Sequence, residues 1–186
     1  NCASKERDRI IALYLKRNNL DPKDKRVLHF SAERPFFHQW KRNPKYVAGD
    51  IKRSAVANAV VDITALTYPD NEFDVIVCNH VLEHVPEDAK GMAECFRVMK
   101  PGGVGVFSVP MDVNAEETWN PPPGTPQDEI ERICGRTHVR LYGLDFPKLL
   151  AAHGFVAEEI LFSNDENERH RLAAEKVYVV RKPAAN

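Results

Sequence analysis

Two strand-ending aspartates, a His-x-x-Glu-His run and a short segment carrying His, Arg and Tyr hold most of the chemistry this sequence can offer. Asp50 closes the apolar stretch Lys45–Ala48 and Gly49, and Asp62 follows Ala59–Val61. An ionised carboxylate has acceptors only and can take two hydroxyl hydrogens at once, which suits a polyhydroxylated ligand. Asn79 and His80 follow a third apolar stretch, Phe73–Cys78. His80-Val-Leu-Glu-His84 fits the pattern in which two histidines four apart hold zinc while a glutamate activates water. Its setting does not, because a zinc pair belongs in the middle of a long helix with a further ligand downstream, and here a buried strand precedes it and Pro86 follows. A metallopeptidase is therefore disfavoured, and no metal is expected. In Thr137-His-Val-Arg-Leu-Tyr-Gly143, His138, Arg140 and Tyr142 alternate, so an extended backbone would send all three to one side as a base, a fixed cation and a polar aromatic. Arg140 would then favour a carboxylate or phosphate, and His80 or His138 could remove a proton. The alternative is that Arg140 pairs with Glu129 or Asp145 and that His138 satisfies backbone groups. The cysteines at 2, 78, 95 and 134 form no close pair and no Cys-His nucleophile.

The elements that must position these groups read as successive strand-helix units. Phe73–Cys78 is short, nearly unbroken and rich in Val and Ile, as in a strand buried on both faces of a parallel sheet. Glu87–Met99 follows with Met92, Ala93, Phe96 and Met99 at helical spacing, Pro101-Gly102-Gly103 stops that pattern, and Val104–Val109 resumes as a strand. Upstream, Ser4 can cap a helix over residues 5–17, strands are expected at Arg26–Phe30, Lys45–Ala48 and Ala59–Val61, and a helix at Pro35–Arg42. Downstream, residues 110–127 form a Pro-rich loop, Asp128–Cys134 and Pro147–Ala152 read as helices, and Phe155–Phe162 and Glu175–Val180 as strands around a polar loop at Ser163–Arg171. Ligands of such a sheet sit beyond the carboxyl ends of its strands, where Asp50, Asp62, Asn79 and His80 fall.

Composition limits the alternatives. With 186 residues, 43% of them hydrophobic and 28% charged, and a net charge of −1, the chain suits one globular domain, and no apolar run nears the roughly 20 residues a bilayer span requires. Unpaired cysteines and the lack of a signal-peptide pattern make the cytoplasm the expected setting. Residues 1–53 hold 14 Lys and Arg against 6 Asp and Glu. That basic bias is interrupted by a strand and by helical apolar positions, and without a recognition module nucleic-acid binding is not expected.

In this arrangement the chain resembles class I methyltransferases that use S-adenosylmethionine, over about residues 25–182. The ordered words are the acid-ended strand at Asp62-Ile63, FDVI at 73–76, VLEHV at 81–85 and MKPGG at 99–103. The resemblance implies an α/β, Rossmann-like doubly wound sheet of seven strands in the order 3-2-1-4-5-7-6 with the last antiparallel. Residues 1–24 would be an N-terminal helix with the remnant of an upstream segment. The resemblance also implies that Asp50 takes the ribose hydroxyls, that Asp62 and Ile63 border the adenine, and that Asn79 and His80 lie near the methylsulfonium. S-adenosylhomocysteine would be the product, and a small molecule the methyl acceptor.

The first loop departs from the common Gly-x-Gly form. Val27-Leu-His-Phe-Ser-Ala-Glu33 resembles a subgroup with an HF-x-x-E loop, in which Phe30, Ala32 and Glu33 would border the methionine part and Glu33 could meet its ammonium. Asn1–Arg9 resembles the tail of an upstream cysteine knuckle, with Cys2 at its last cysteine, and a lone cysteine cannot hold zinc tetrahedrally. Two other functions fit the same sheet. A nicotinamide oxidoreductase would need a glycine-rich first loop to admit the pyrophosphate, and a catalytically silent binding or scaffold domain would follow if the altered loop weakened cofactor binding.

Overall fold

The computed structural model describes residues 5–20, 22–172 and 175–184. The seven strands are β1 (Val27–Phe30), β2 (Tyr46–Asp50), β3 (Ala59–Val60), β4 (Phe73–Asn79), β5 (Met99–Ser108), β6 (Val156–Glu159) and β7 (Tyr178–Arg181). They form one sheet in the order β3-β2-β1-β4-β5-β7-β6. Neighbours from β3 to β5 are parallel, and β7 runs antiparallel to both β5 and β6. This is the expected doubly wound topology.

Strand alternation splits the core between the two faces. Leu28 and Phe30 of β1, with Ile76 and Cys78 of β4, pack on one face against Met92, Cys95 and Val98 of α3 (Asp88–Val98) and Phe146 and Leu150 of α5 (Phe146–Ala152). Val27, Val75 and Val77 face the other way, toward Ile10, Ile11, Tyr14 and Leu15 of α1 (Glu6–Arg17) and Phe36 and Trp40 of α2 (Arg34–Trp40). Helix α1 is therefore a cover for the central strands. Its first turn is closed by the buried Asp8, whose carboxylate accepts from the Lys5 backbone N–H at 2.7 Å. Ser4, Cys2 and the rest of the knuckle-like segment lie outside the described residues.

Two local expectations change. Strand β5 begins at Met99 and runs through Pro101-Gly102-Gly103, because Met99 already pairs with Phe73 and a register shift between Phe73 and Val75 absorbs the intervening residues. The polar stretch expected to be a loop contains helix α6 (Asn164–His170), started by a reciprocal cap between Ser163 and Glu166. That Ser-x-x-Glu spacing is a helix-start signal, outweighed in the sequence by the lack of an apolar face.

The Pro-rich loop is stitched down rather than free. Met111 bridges Tyr142, Trp119 bridges Leu141, and the Asp112 N–H donates to the Tyr142 carbonyl at 2.8 Å. Helix α4 (Gln127–Cys134) follows it, and residues 137–142 then run beside the segment after β4, where the Val139 N–H donates to the Glu83 carbonyl at 2.8 Å.

Candidate active site

Beyond the carboxyl ends of β1 to β4 lies a cavity of about 490 Å³. Each strand contributes residues at its end to the wall: Phe30 of β1 and Ser31 beyond it, Gly49 and Asp50 of β2, Asp62 to Thr64 after β3, and His80 after β4. Segment Val81–Glu87 closes one side, with Val81, His84, Val85, Pro86 and Glu87 on the wall.

Backbone conformation at the two central strand ends opens this space. Ser31 has φ +48° and His80 has φ +54°, both left-handed conformations that L residues adopt at a cost. The Ser31 N–H donates to the Gly49 carbonyl at 2.8 Å and the His80 N–H to the Ser108 carbonyl at 2.9 Å, so neighbouring strands hold both turns in place. Ser31 thus makes the sharp turn for which the first loop has no glycine. Gly49 is required for another reason, since a Cβ there would sit 2.9 Å from the Val61 side chain where β2 turns toward β3.

The two acids differ in their commitments. Asp50 is half-buried at the end of β2, and among the described residues its carboxylate has no hydrogen-bond or ion-pair partner. Exposed Asp62 accepts on Oδ1 from the Thr64 N–H at 2.8 Å and the Thr64 hydroxyl at 2.7 Å. Those Thr64 hydrogen bonds hold its carboxyl below the usual range. Among the described residues its Oδ2 has no hydrogen-bond partner. Thr64, two residues after Asp62, is the signal in the sequence for this turn.

Glu33 and Asn79 are drawn together away from the cavity wall. Glu33 Oε2 accepts from His29 Nε2 at 2.9 Å, and Asn79 Nδ2 donates to Glu33 Oε1. Ser108 Oγ donates to Asn79 Oδ1, and His29 Nδ1 lies 3.0 Å from the Tyr46 hydroxyl. A polar chain therefore crosses β2, β1, β4 and β5 beneath the strand ends. Burial pushes the Glu33 carboxyl up, but hydrogen bonds from His29 and Asn79 and the His29 charge outweigh it and leave the pKa lowered. With Glu33 ionised, His29 Nε2–H donates to it, and the Tyr46 hydroxyl stands at the ring's other nitrogen. Ala32 is buried among the residues covering the opposite face. Of the first-loop residues expected to border the cofactor, Phe30 lines the cavity, whereas Ala32 and Glu33 support it from below.

His80, His138 and Arg140 do not converge. His80 lines the cavity with its ring between two acids: Nε2 is bound to Glu175, and Nδ1 is 3.3 Å from Glu83 Oε1. Burial opposes its charge, yet the Glu175 and Glu83 carboxylates outweigh that and raise its pKa. Arg140 is buried and ion-paired with Asp88, and its Nη2 donates to the Pro86 carbonyl at 2.8 Å. The Tyr142 hydroxyl donates to the same Asp88 at 2.6 Å. These side chains bolt residues 137–142 to the start of α3, and the role of acceptor-binding cation does not fit Arg140 in this place. The partner is Asp88 rather than Glu129 or Asp145. His138 points to the Cys134 carbonyl, 2.6 Å from its Nδ1, and is not on the cavity wall.

Comparison with known proteins agrees with this layout. Residues 27–107 match the methyltransferase domain family. A probable S-adenosylmethionine-dependent methyltransferase of Mycolicibacterium smegmatis is 34% identical over 101 residues, covering 54% of this chain and 35% of that protein. A ubiquinone biosynthesis O-methyltransferase of Methylococcus capsulatus is 42% identical over 60 residues, covering 31% and 25%. The matched stretch thus spans about a third or less of these relatives. Among solved structures, the 1,6-didemethyltoxoflavin-N1-methyltransferase of Burkholderia thailandensis superposes with a TM-score of 0.63 at 14% identity, covering 96% of this chain and 78% of that one. The [4+2]-cyclase SpnF superposes at 0.59 and 19% identity, covering 96% and 81%. Likeness at that identity speaks for the fold alone. Residues 27–107 are thus similar to methyltransferase domains, and the strand order is that of the class I methyltransferase fold.

Proposed function

We propose that this chain binds S-adenosylmethionine in the crevice beyond β1 to β4 and transfers its methyl group directly to a small-molecule acceptor, leaving S-adenosylhomocysteine. The observation that carries the reading is the unpartnered Asp50 carboxylate, opening on the same cavity as Asp62 and the His80 turn. A volume of about 490 Å³ falls among small-molecule sites, which run from roughly 300 to 1,000 Å³. Of the residues lining the cavity, Asp50 would take the ribose hydroxyls, and Asp62 and Ile63 would border the adenine. Phe30 and the turn at Ser31 border the methionine part. Glu33 and Asn79 hold the ends of β1 and β4 in register beneath it.

The cofactor, when bound, supplies an activated methyl group, so the protein's task is to place the acceptor in line and exclude water. Cys78 and Cys95 are fully buried with thiols pushed up by burial, which removes both as nucleophiles. His80, on the cavity wall just after β4, would take a proton from an oxygen or nitrogen acceptor once a carboxylate neighbour yields one of its ring nitrogens. Residues 25–182 carry the function, with α1 as cover. A cytoplasmic setting belongs to the same reading and is supported by three buried free thiols, Cys78, Cys95 and Cys134. Among the described residues no helix is long and apolar enough to cross a membrane.

Calorimetric titration of the purified protein with S-adenosylmethionine and S-adenosylhomocysteine tests the proposal: saturable one-to-one binding is expected for both. No heat and no thermal stabilisation at millimolar ligand would contradict it. The first loop, where Ser31 rather than glycine makes the turn, favours one second reading, in which the domain is catalytically silent; demethylated product forming with a methylated acceptor would exclude it.

A further inference from the structure

Glu83 is a buried carboxylate whose Oε1 lies 3.3 Å from His80 Nδ1, yet neither of its oxygens completes a hydrogen bond among the described residues. A buried carboxylate is costly unless it is fully hydrogen-bonded, so one facing ion pair leaves room for a further partner. Its neighbours are chemically specific. The ligating atoms of Glu83, His84 and His138 all lie within 4.8 Å of one another, and the two imidazole rings meet edge to face at 4.8 Å between centroids. The metal pair weighed from the sequence was His80 with His84. In space, the partner of His84 is His138.

Both rings are held in the form a metal needs. His84 Nδ1 is 3.0 Å from the Thr137 carbonyl and His138 Nδ1 is 2.6 Å from the Cys134 carbonyl. A carbonyl only accepts, so each Nδ1 carries a proton, which leaves Nε2 as the nitrogen that a metal would take on each ring. A backbone carbonyl on the far nitrogen is the usual support of a metal-bound histidine. The framework is built to hold this arrangement. The Val139 N–H donates to the Glu83 carbonyl at 2.8 Å, Arg140 and Tyr142 fix the same segment to Asp88, and Thr137 is held at φ +68°, where its carbonyl meets His84.

We propose that Glu83, His84 and His138 bind one divalent cation of the Zn²⁺ type. Two imidazoles and one carboxylate are the donors that borderline metals prefer, whereas Mg²⁺ and Ca²⁺ favour all-oxygen sites. Tetrahedral bonds of about 2.0–2.1 Å put ligand atoms about 3.3 Å apart, so closing the site takes side-chain movements of less than about 2 Å. His84 is exposed and can make such a movement. Three protein ligands leave one position open, and because His84 also lines the cavity, the ion stands at the cavity wall.

The test is a titration of the metal-stripped full chain with Co²⁺, followed by visible absorption, and then displacement by Zn²⁺, with no nucleotide present. One Co²⁺ per chain with intense four- or five-coordinate bands is expected. His84→Ala and His138→Ala should each weaken binding about a hundredfold or more, Glu83→Gln at least tenfold, and His38→Ala, on the exposed side of α2, should change nothing. Failure to bind at millimolar metal would overturn the proposal. So would stoichiometric binding that survives both His84→Ala and His138→Ala. Exposed His84 can be replaced without disturbing the core, so a folding defect cannot mask the answer. The outcome is also independent of whether S-adenosylmethionine binds.

Discussion

Asp50 and Glu33 are both carboxylates near the strand ends, and their surroundings give them opposite tasks. Asp50 has no partner among the described residues and opens on the cavity. Losing a hydrogen bond to a charged group costs about 1.5–3 kcal/mol, so Asp50→Ala should weaken S-adenosylhomocysteine binding by roughly ten- to a hundredfold or somewhat more, by calorimetry, with an unchanged melting temperature. Glu33 is committed to His29 and Asn79, so its substitution should be felt first in stability. Glu33→Gln places an amide N–H against a donor, and leaving such buried groups unmatched costs about 1–3 kcal/mol at neutral pH. Because the native Glu33 pKa lies below the ordinary carboxylate value of 4.5, its contribution is complete above that value and is lost as pH falls through the native one. Denaturation of wild type and variant from pH 7 to pH 3 should show their stability gap narrowing below about pH 4.5. A constant gap would mean that the charge of Glu33 is not what binds β1 to β4.

At the scale of elements, the 137–142 segment is a strut. Arg140 and Tyr142 meet on Asp88, and Val139 is bonded to the backbone of Glu83. Removing one partner of a buried pair leaves the other charge uncompensated, at a cost of about 3–5 kcal/mol. Arg140→Met should therefore lower stability by that order in chemical denaturation while leaving cofactor affinity within about twofold. A large loss of acceptor affinity at intact stability would instead return Arg140 to substrate binding. This segment also marks where the sequence stopped being readable. Alternation along THVRLYG shows which side chains share a side of an extended chain, and says nothing of Asp88, some fifty residues away in the chain. The same holds for Glu33 and Asn79, residues of two different strand ends that meet because β1 and β4 are neighbours. What could be read were properties local in the chain: the acid ending β2, the acid following β3, the apolar run of β4 and the helical spacing of α3. Ser163 and Glu166 were legible too, but a helix that buries no residue offers no periodicity to confirm its cap.

Taken whole, the molecule is a sheet covered on both faces whose open edge lies at the carboxyl ends of its parallel strands, so the crevice follows from topology before any side chain is considered. The strand order is that of the class I methyltransferase fold and the domain match agrees with it, while the side chains at the crevice decide what chemistry is practised. The first loop is where that decision falls, because Ser31 rather than glycine makes the turn beside the cavity. Ser31→Gly relieves the left-handed strain and should leave cofactor binding unchanged or tighter. Ser31→Val cannot adopt φ +48° cheaply and should weaken binding by tenfold or more. The most direct measurement is a crystal structure of the chain with S-adenosylhomocysteine. The account predicts the ribose hydroxyls on Asp50, the adenine between Asp62 and Ile63, and the sulfur facing the His80 turn. Saturating ligand that leaves this crevice empty, or binds with its ribose away from Asp50, would contradict it.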